Sequence, residues 1–208
     1  MPLDMKLFYS FIVVLAAGMI AVLVLWRPSD AIATKSAPPD QARQLGVFSF
    51  TNQVGRLVTQ AEIQNKFLVV NFVHTGCSIS CLQVNERMGQ VQQLTSGQND
   101  VRLLSFTVDP GTDTPPVLAK FGEKFGVDAA RWDLLTGKKS DLYALIETSF
   151  LKRDTLHPTS PMPGGFQDVD RIAVVDRDGR VRRYFDGLRP ETPAAIVKFL
   201  NELRNEPK

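Results

Sequence analysis

Apolar runs and polar interruptions alternate along the chain in lengths that predict a mixed α/β domain. "KFLVVNFV" (Lys66–Val73) and "DVRLLSFTVD" (Asp100–Asp109) are nearly continuous apolar runs, as is typical of strands buried on both faces. "VFSFTNQVGRLVT" (Val47–Thr59) alternates around a turn and predicts a hairpin. "RWDLLTG" (Arg131–Gly137) predicts a further short strand, and "RIAVVDRDGRVRRYFDG" (Arg171–Gly187) predicts a second hairpin, with its turn at the Asp-Gly pair.

Helices are predicted between these strands and after the last one. Pro115 fits the first position of a helix that Thr114 caps, and its apolar face is predicted to contain Val117, Leu118, Phe121 and Phe125. The remaining predicted helices are Ile79–Leu94, Lys138–Phe150 and Thr192–Leu203. This alternation predicts an α/β fold, a thioredoxin-like mixed sheet flanked by helices on both faces.

The N-terminal part of the chain has a different pattern. Leu7–Trp26 is a stretch of 20 residues without a charge, which as a helix would be roughly 30 Å long and would span a bilayer. It predicts a membrane anchor over residues 1–27, with a flexible linker over 28–44 and the domain over 45–208. "AIA" (Ala31–Ala33) leaves signal-peptide cleavage as an alternative. A short N-terminal stub of this kind predicts a single-pass protein of the inner (cytoplasmic) membrane whose domain is exported to the periplasmic side.

Charge excludes one class of function. The formal net charge is +2, and no basic run with interleaved aromatic residues is present, so the sequence gives no basis for nucleic-acid binding.

Two cysteines, the only ones in the chain, are the strongest candidates for chemistry. Cys77 and Cys81 follow a predicted buried strand at the start of a predicted helix, where unpaired N–H groups and the helix dipole favour a thiolate. Residues at i and i+4 of a helix share a face, roughly 6 Å apart, near the upper limit for a disulfide. The pair is therefore compatible with buried apolar packing, a disulfide staple, a redox couple or a soft-metal site. A four-ligand zinc site would also require both His74 and His157.

Four segments, in this order, resemble the Sco/SenC family: "NFVHTGCSISC", "FTVDPGTDTPPVLAKFGEKFG", "RWDLLTG" and "VVDRDGRVRRYFDG". That family consists of membrane-anchored, thioredoxin-fold factors that deliver copper to cytochrome c oxidase. The resemblance implies that Cys77 and Cys81 are copper ligands, with a distant histidine as the third.

The sequence departs from the family at that third ligand. Counting back from the turn glycine of the last hairpin places Asp168 where the family has its histidine. Asp168 and His157 are the candidates for a third ligand, and Met162 in the same loop is a weaker one. Ser78 and Leu82 replace the prolines that are usual beside the family's cysteines. Cu(I) tolerates two thiolates, whereas Cu(II) prefers nitrogen and oxygen ligands, so Cu(I) is the expected ion.

Three further polar residues have two interpretations each. His74 is either a residue that tunes the thiolate or a simple exposed histidine. Asp109 and Asp113 match acidic positions of the family, and they also fit ordinary turn and helix-start roles.

Three functions are consistent with the sequence. The first is copper binding and delivery to an acceptor, such as an oxidase subunit or another copper chaperone. The second is a thiol-disulfide oxidoreductase that reduces a partner's copper-binding cysteines without itself holding copper. The third is a redox-silent assembly factor. The resemblance favours a copper chaperone over an enzyme.

Overall fold

The computed structural model describes residues 43–76, 79–150 and 170–206. Seven strands form one mixed sheet: β1 (Ser49–Asn52), β2 (Leu57–Thr59), β3 (Phe67–Val73), β4 (Val101–Thr107), β5 (Trp132–Thr136), β6 (Arg171–Val175) and β7 (Val181–Asp186). The helices are α1 (Ile79–Leu94), α2 (Pro115–Glu123), α3 (Lys139–Ser149) and α4 (Thr192–Arg204), and a short 3-10 helix covers Gln60–Ile63.

The strands lie in the order β2-β1-β5-β4-β3-β6-β7. The three central strands β3, β4 and β5 are parallel, and an antiparallel hairpin continues the sheet on each side. Because β3 is central and both faces of the sheet are covered, all of its seven residues are buried, as the continuous apolar run predicts. The fold is a thioredoxin-like α/β fold.

Two hydrophobic clusters cover the two faces of this sheet. Val84 and Met88 of α1, Leu118 of α2 and Ile196 of α4 pack on one face. Leu142 of α3 packs on the other. Each fully buried aliphatic side chain stabilises the folded state by about 1.5–3 kcal/mol relative to exposure, so both layers of helix hold the central strands in place.

Both predicted hairpins are confirmed. Gly55 lies in the turn between β1 and β2 with φ at 78°, and Gly179 lies between β6 and β7 with φ at 81°. These values are in the left-handed region that glycine adopts without a steric penalty. The predicted helix start is also confirmed, since Thr114 is the N-cap and a proline opens α2.

The predicted apolar face of α2 is wrong at Val117. Leu118 and Phe121 are buried, but Val117 is 37% exposed. Adjacent residues of an α-helix point about 100° apart, so Val117 and Leu118 cannot both face the sheet directly. Phe125 lies beyond the end of the helix and packs, partly buried, against the same core.

Several predictions concern residues outside the described part of the chain. Among residues 43–76, 79–150 and 170–206, no helix is long and apolar enough to cross a membrane. The predicted span Leu7–Trp26 lies outside these residues, as do His157, Met162 and Asp168.

Candidate functional site

The site is built where the central strand meets the next helix. Strand β3 ends at Val73, a turn follows over His74–Gly76, and α1 begins at Ile79. Cys81 lies in the first turn of α1 and is 2% exposed. Cys77 lies outside the described residues. The structure therefore places Cys81 at the carboxyl end of a buried parallel strand, as predicted from the sequence.

The Cys81 sulfur has a defined environment. It is part of a disulfide, and the sequence contains one other cysteine, Cys77. The sulfur lies 3.9 Å from the carbonyl oxygen of His74 and 3.7 Å from the side-chain amide nitrogen of Asn85. An N–H group thus points toward sulfur from the protein interior.

A chain of buried polar side chains leads from the sheet to this sulfur. Trp132 Nε1 donates to Ser105 Oγ at 2.8 Å, and Ser105 Oγ donates to Asn71 Oδ1 at 2.5 Å. Asn71 Nδ2 donates to Asn85 Oδ1 at 3.2 Å, and Asn85 Nδ2 donates to the backbone carbonyl of Cys81 at 2.8 Å. The four side chains that lead to Cys81, those of Trp132, Ser105, Asn71 and Asn85, have no exposed surface. We call these four residues the polar relay.

A buried carboxylate fixes the turn before the cysteines. Asp113 has no exposed surface; its Oδ1 accepts a hydrogen bond from the Thr75 hydroxyl at 2.6 Å, and its Oδ2 accepts one from the Thr107 hydroxyl at 2.5 Å. Asp113 therefore joins the end of β4 and the loop after it to the turn after β3.

Asp109 has a turn role in the same loop. Its backbone carbonyl accepts hydrogen bonds from the N–H groups of Thr112 and Asp113. Nearby, the Tyr143 hydroxyl donates to the carbonyl of Val108 at 2.7 Å. Burial, and secondly the negative charge of Asp109, raise the pKa of Tyr143 above its usual value. Tyr143 is therefore a neutral donor that fixes this loop.

Metal ligands do not assemble within the described residues alone. Over residues 43–76, 79–150 and 170–206, no group of three or more His, Cys, Asp or Glu side chains could hold a metal ion. His74 is half-buried, with its ring beside Gly76. Cys77 and both third-ligand candidates, His157 and Asp168, lie outside the described residues, so their roles stay predictions.

Sequence reasoning missed the polar relay. Part of its signal was present: Asn71 is the only polar residue of β3, and Ser105 is one of three polar residues of β4, with Arg102 and Thr107. They are direct neighbours in the parallel pairing of β3 and β4. Two buried polar residues that lie side by side on adjacent strands indicate a hydrogen-bonded pair, because an unpaired one would be costly.

A mixed sheet with a cysteine at the junction of a central strand and its following helix defines a thioredoxin-like protein with a candidate thiol site. The chain belongs to the SCO1/SenC family, whose pattern matches residues 36–203. A curated relative, the SCO1 protein homolog of Bacillus subtilis (strain 168), is 28% identical over 145 residues, covering 68% of this chain and 72% of the relative.

Solved structures agree with this membership. A SCO1/SenC family lipoprotein from Bacillus anthracis is 26% identical with a TM-score of 0.69, covering 79% of this chain and 97% of its own. BsSco, a member of the Sco family of cytochrome c oxidase assembly proteins with an identified disulfide switch, is 26% identical with a TM-score of 0.66, covering 78% and 94%. ScoI of Bradyrhizobium japonicum, solved with copper bound, shares the fold at 24% identity and a TM-score of 0.59, covering 74% and 97%.

Proposed function

We propose that this protein binds copper through Cys77 and Cys81 and delivers it during assembly of the copper centre of cytochrome c oxidase. The observation that carries the proposal is the position of Cys81, buried in the first turn of α1 at the carboxyl end of the central strand. Membership of the SCO1/SenC family supports the same function, as does a copper-bound relative of the same fold.

Ligand chemistry makes Cu(I) the cargo. Thiolates are soft ligands that prefer Cu(I), and two of them suffice for this ion. His157 and Asp168 are the third-ligand candidates, and the imidazole is the better match for copper. Cu(II) prefers nitrogen and oxygen ligands, so the exchange of the family's histidine for Asp168 weakens Cu(II) binding more than Cu(I) binding.

A second function is favoured by a specific observation. Cys81 is disulfide-bonded, and a disulfide switch is identified in BsSco. In this function the reduced Cys77 and Cys81 attack a disulfide of a copper-acceptor protein. One new disulfide forms on this chain while the acceptor's disulfide breaks and gains two electrons and two protons as two thiols. The acceptor's cysteines are then ready to bind copper.

We propose further that the N-terminal segment tethers this chemistry to a membrane. A helical anchor over residues 1–27 and a linker over 28–44 would tether the domain on the extracytoplasmic face of the cytoplasmic membrane. An oxidising compartment on that side is one in which a disulfide persists. The SCO1/SenC lipoprotein from Bacillus anthracis is a relative that, by its own description, carries lipid.

The test is an anaerobic Cu(I) competition titration of the reduced full chain in detergent, with a coloured Cu(I) chelator. Copper delivery predicts one tightly held Cu(I) per chain, and Cys77→Ser with Cys81→Ser should abolish it. If the wild-type chain takes no copper from the chelator but reduces a disulfide of an acceptor peptide, the oxidoreductase function replaces copper delivery. If the double serine variant supports normal oxidase assembly in cells, the third possibility, a redox-silent assembly factor, replaces both.

A further inference from the structure

The hydrogen bonds of the polar relay all run in one direction from donor to acceptor, and the first donor is Trp132. An indole N–H can only donate, so Ser105 Oγ, which accepts it at 2.8 Å, uses its own proton elsewhere. That proton goes to Asn71 Oδ1, which turns the amide nitrogen of Asn71 toward Asn85 Oδ1. The amide nitrogen of Asn85 consequently faces the Cys81 sulfur at 3.7 Å.

The reverse arrangement would have the opposite effect on sulfur. If Asn85 were flipped, its carbonyl oxygen would face the sulfur and repel electron density there. The flipped chain is unfavourable at both ends. Asn85 Oδ1 would face the Cys81 carbonyl oxygen, and Ser105 Oγ would accept from both Trp132 and Asn71, so that its own buried proton would lose its acceptor. An unsatisfied buried donor costs about 1–3 kcal/mol, which is sufficient to select one orientation of both amides.

We propose that the polar relay holds an amide N–H on Cys81 and thereby favours the reduced, copper-competent state of the cysteine pair. This inference rests on the thiol chemistry of the proposed function. Reduction of the disulfide adds two electrons and two protons, and a Cys81 thiol that then gives its proton to solvent leaves a negatively charged sulfur, which the start of a helix favours. A fixed N–H donor in a buried, low-dielectric site then interacts more strongly with the reduced sulfur than with the disulfide. Trp132, Ser105, Asn71 and Asn85 are positioning residues in this scheme.

The same amide also holds the backbone at the sulfur. Asn85 Nδ2 donates to the Cys81 carbonyl at 2.8 Å, so both of its N–H bonds are directed at one residue. Two variants distinguish these two roles of Asn85. Asn85→Leu removes both donors, whereas Trp132→Phe removes the distant N–H together with part of the buried indole ring and leaves Asn85 and the His74 carbonyl, the groups beside the sulfur, unsubstituted.

The test is a redox titration of the full chain in detergent with glutathione buffers at fixed pH. In this equilibrium two glutathione molecules give one glutathione disulfide while the protein disulfide becomes two thiols. The free thiols are then alkylated, and mass spectrometry measures the fraction of reduced protein. For Asn85→Leu we expect the equilibrium constant to shift about tenfold toward the disulfide, which is about 30 mV for a two-electron couple. For Trp132→Phe we expect a shift of about threefold in the same direction.

Gln92→Leu is the matched control. Gln92 is a buried polar residue of the same helix, and its side chain bonds Gly126 and Asp128 instead of the site. Its equilibrium constant should equal that of the wild type. If the equilibrium constant of Asn85→Leu equals the wild-type value, or if the control shifts as much as Asn85→Leu, the inference is overturned while the proposed function stands. Trp132→Phe decides the case if Asn85→Leu does not fold, since an unchanged constant there also overturns it. A wild-type chain without a reversible two-thiol transition overturns the inference together with the thiol chemistry it rests on.

Discussion

Asp113 accepts hydrogen bonds from both the hydroxyl and the backbone N–H of Thr75. The hydroxyl lies 2.6 Å from Oδ1, and the N–H lies 3.2 Å and 3.3 Å from the two carboxylate oxygens. Thr75 is two residues before Cys77 in the sequence. A residue of the loop before α2 thus fixes the turn that leads into the cysteines.

Asp113→Ala should destabilise the fold strongly. The substitution leaves the buried hydroxyl of Thr107 and the half-buried hydroxyl of Thr75 without their acceptor, and the expected loss in free energy of unfolding is about 3 kcal/mol. Urea denaturation of the variant measures this loss. Asp109→Ala is the control, because Asp109 contributes its backbone carbonyl to the loop and that carbonyl remains. Equal losses in the two variants would show that the Asp113 carboxylate has no special role.

A second buried carboxylate, Asp133 of β5, allows two arginines to be compared. Asp133 has no exposed surface. Arg102 donates to its Oδ2 through two nitrogens, at 3.0 Å and 2.7 Å, while the more exposed Arg56 donates once to Oδ1 at 3.2 Å. The pairing with Arg102 is the stronger one because two of its nitrogens donate to the carboxylate and because Arg102 is less exposed than Arg56.

We therefore expect Arg102→Gln to lower the free energy of unfolding by about 3 kcal/mol and Arg56→Gln to lower it by less than about 1 kcal/mol. Denaturation of both variants in the same buffer checks the difference. A larger loss for Arg56→Gln would contradict the assignment of Arg102 as the principal partner of Asp133.

The residues around Asp113 and Asp133 show what the sequence could and could not predict. Strand and helix positions followed from apolar periodicity, because one face or both faces of each element must be buried. The site at the end of β3 followed from the resemblance and from where Cys81 falls in the chain. Asp113 had two interpretations because hydrogen bonds between distant loops, such as that with Thr75, have no periodic signature. The polar relay was missed although Asn71 is a visible polar residue in β3, because its four members come from three strands and a helix and only the strand register brings Asn71 beside Ser105.

Acid should weaken the contact between the start of β4 and α4. Hydrogen bonds from Arg204, and less strongly from Arg177, lower the pKa of Asp100 from 3.8 to about 2, against the opposing effect of burial. A carboxylate with a lowered pKa in the folded state stabilises that state above its unfolded pKa. This stability is lost as the pH falls from about 4 through about 2.

Asp100→Asn should therefore lower the free energy of unfolding by about 1 kcal/mol at pH 7, a value that allows for solvent screening of a group 30% exposed. At pH 2, where Asp100 is about half protonated in the folded state, the difference in denaturation midpoint between the variant and the wild type should be much smaller than at pH 7. Asp178→Asn is the control, because Asp178 is 69% exposed and its pair with Arg180 is solvated. A difference between Asp100→Asn and the wild type that is as large at pH 2 as at pH 7 would contradict an electrostatic origin.

Copper ligation can be tested by restoring the family's histidine. Asp168→His places an imidazole where the Sco/SenC resemblance expects the third ligand, and imidazole binds Cu(II) far better than a lone carboxylate beside two thiolates. We expect the Cu(II) affinity of the reduced chain to rise at least tenfold, while the Cu(I) affinity changes by less than threefold because two thiolates already satisfy that ion. Competition titrations with chelators for each oxidation state measure both values.

His157→Ala is the complementary variant. If His157 supplies the third ligand in the natural chain, its loss lowers Cu(I) affinity in the wild type but not in Asp168→His. Unchanged Cu(II) affinity in Asp168→His would mean that position 168 does not reach the metal held by Cys77 and Cys81.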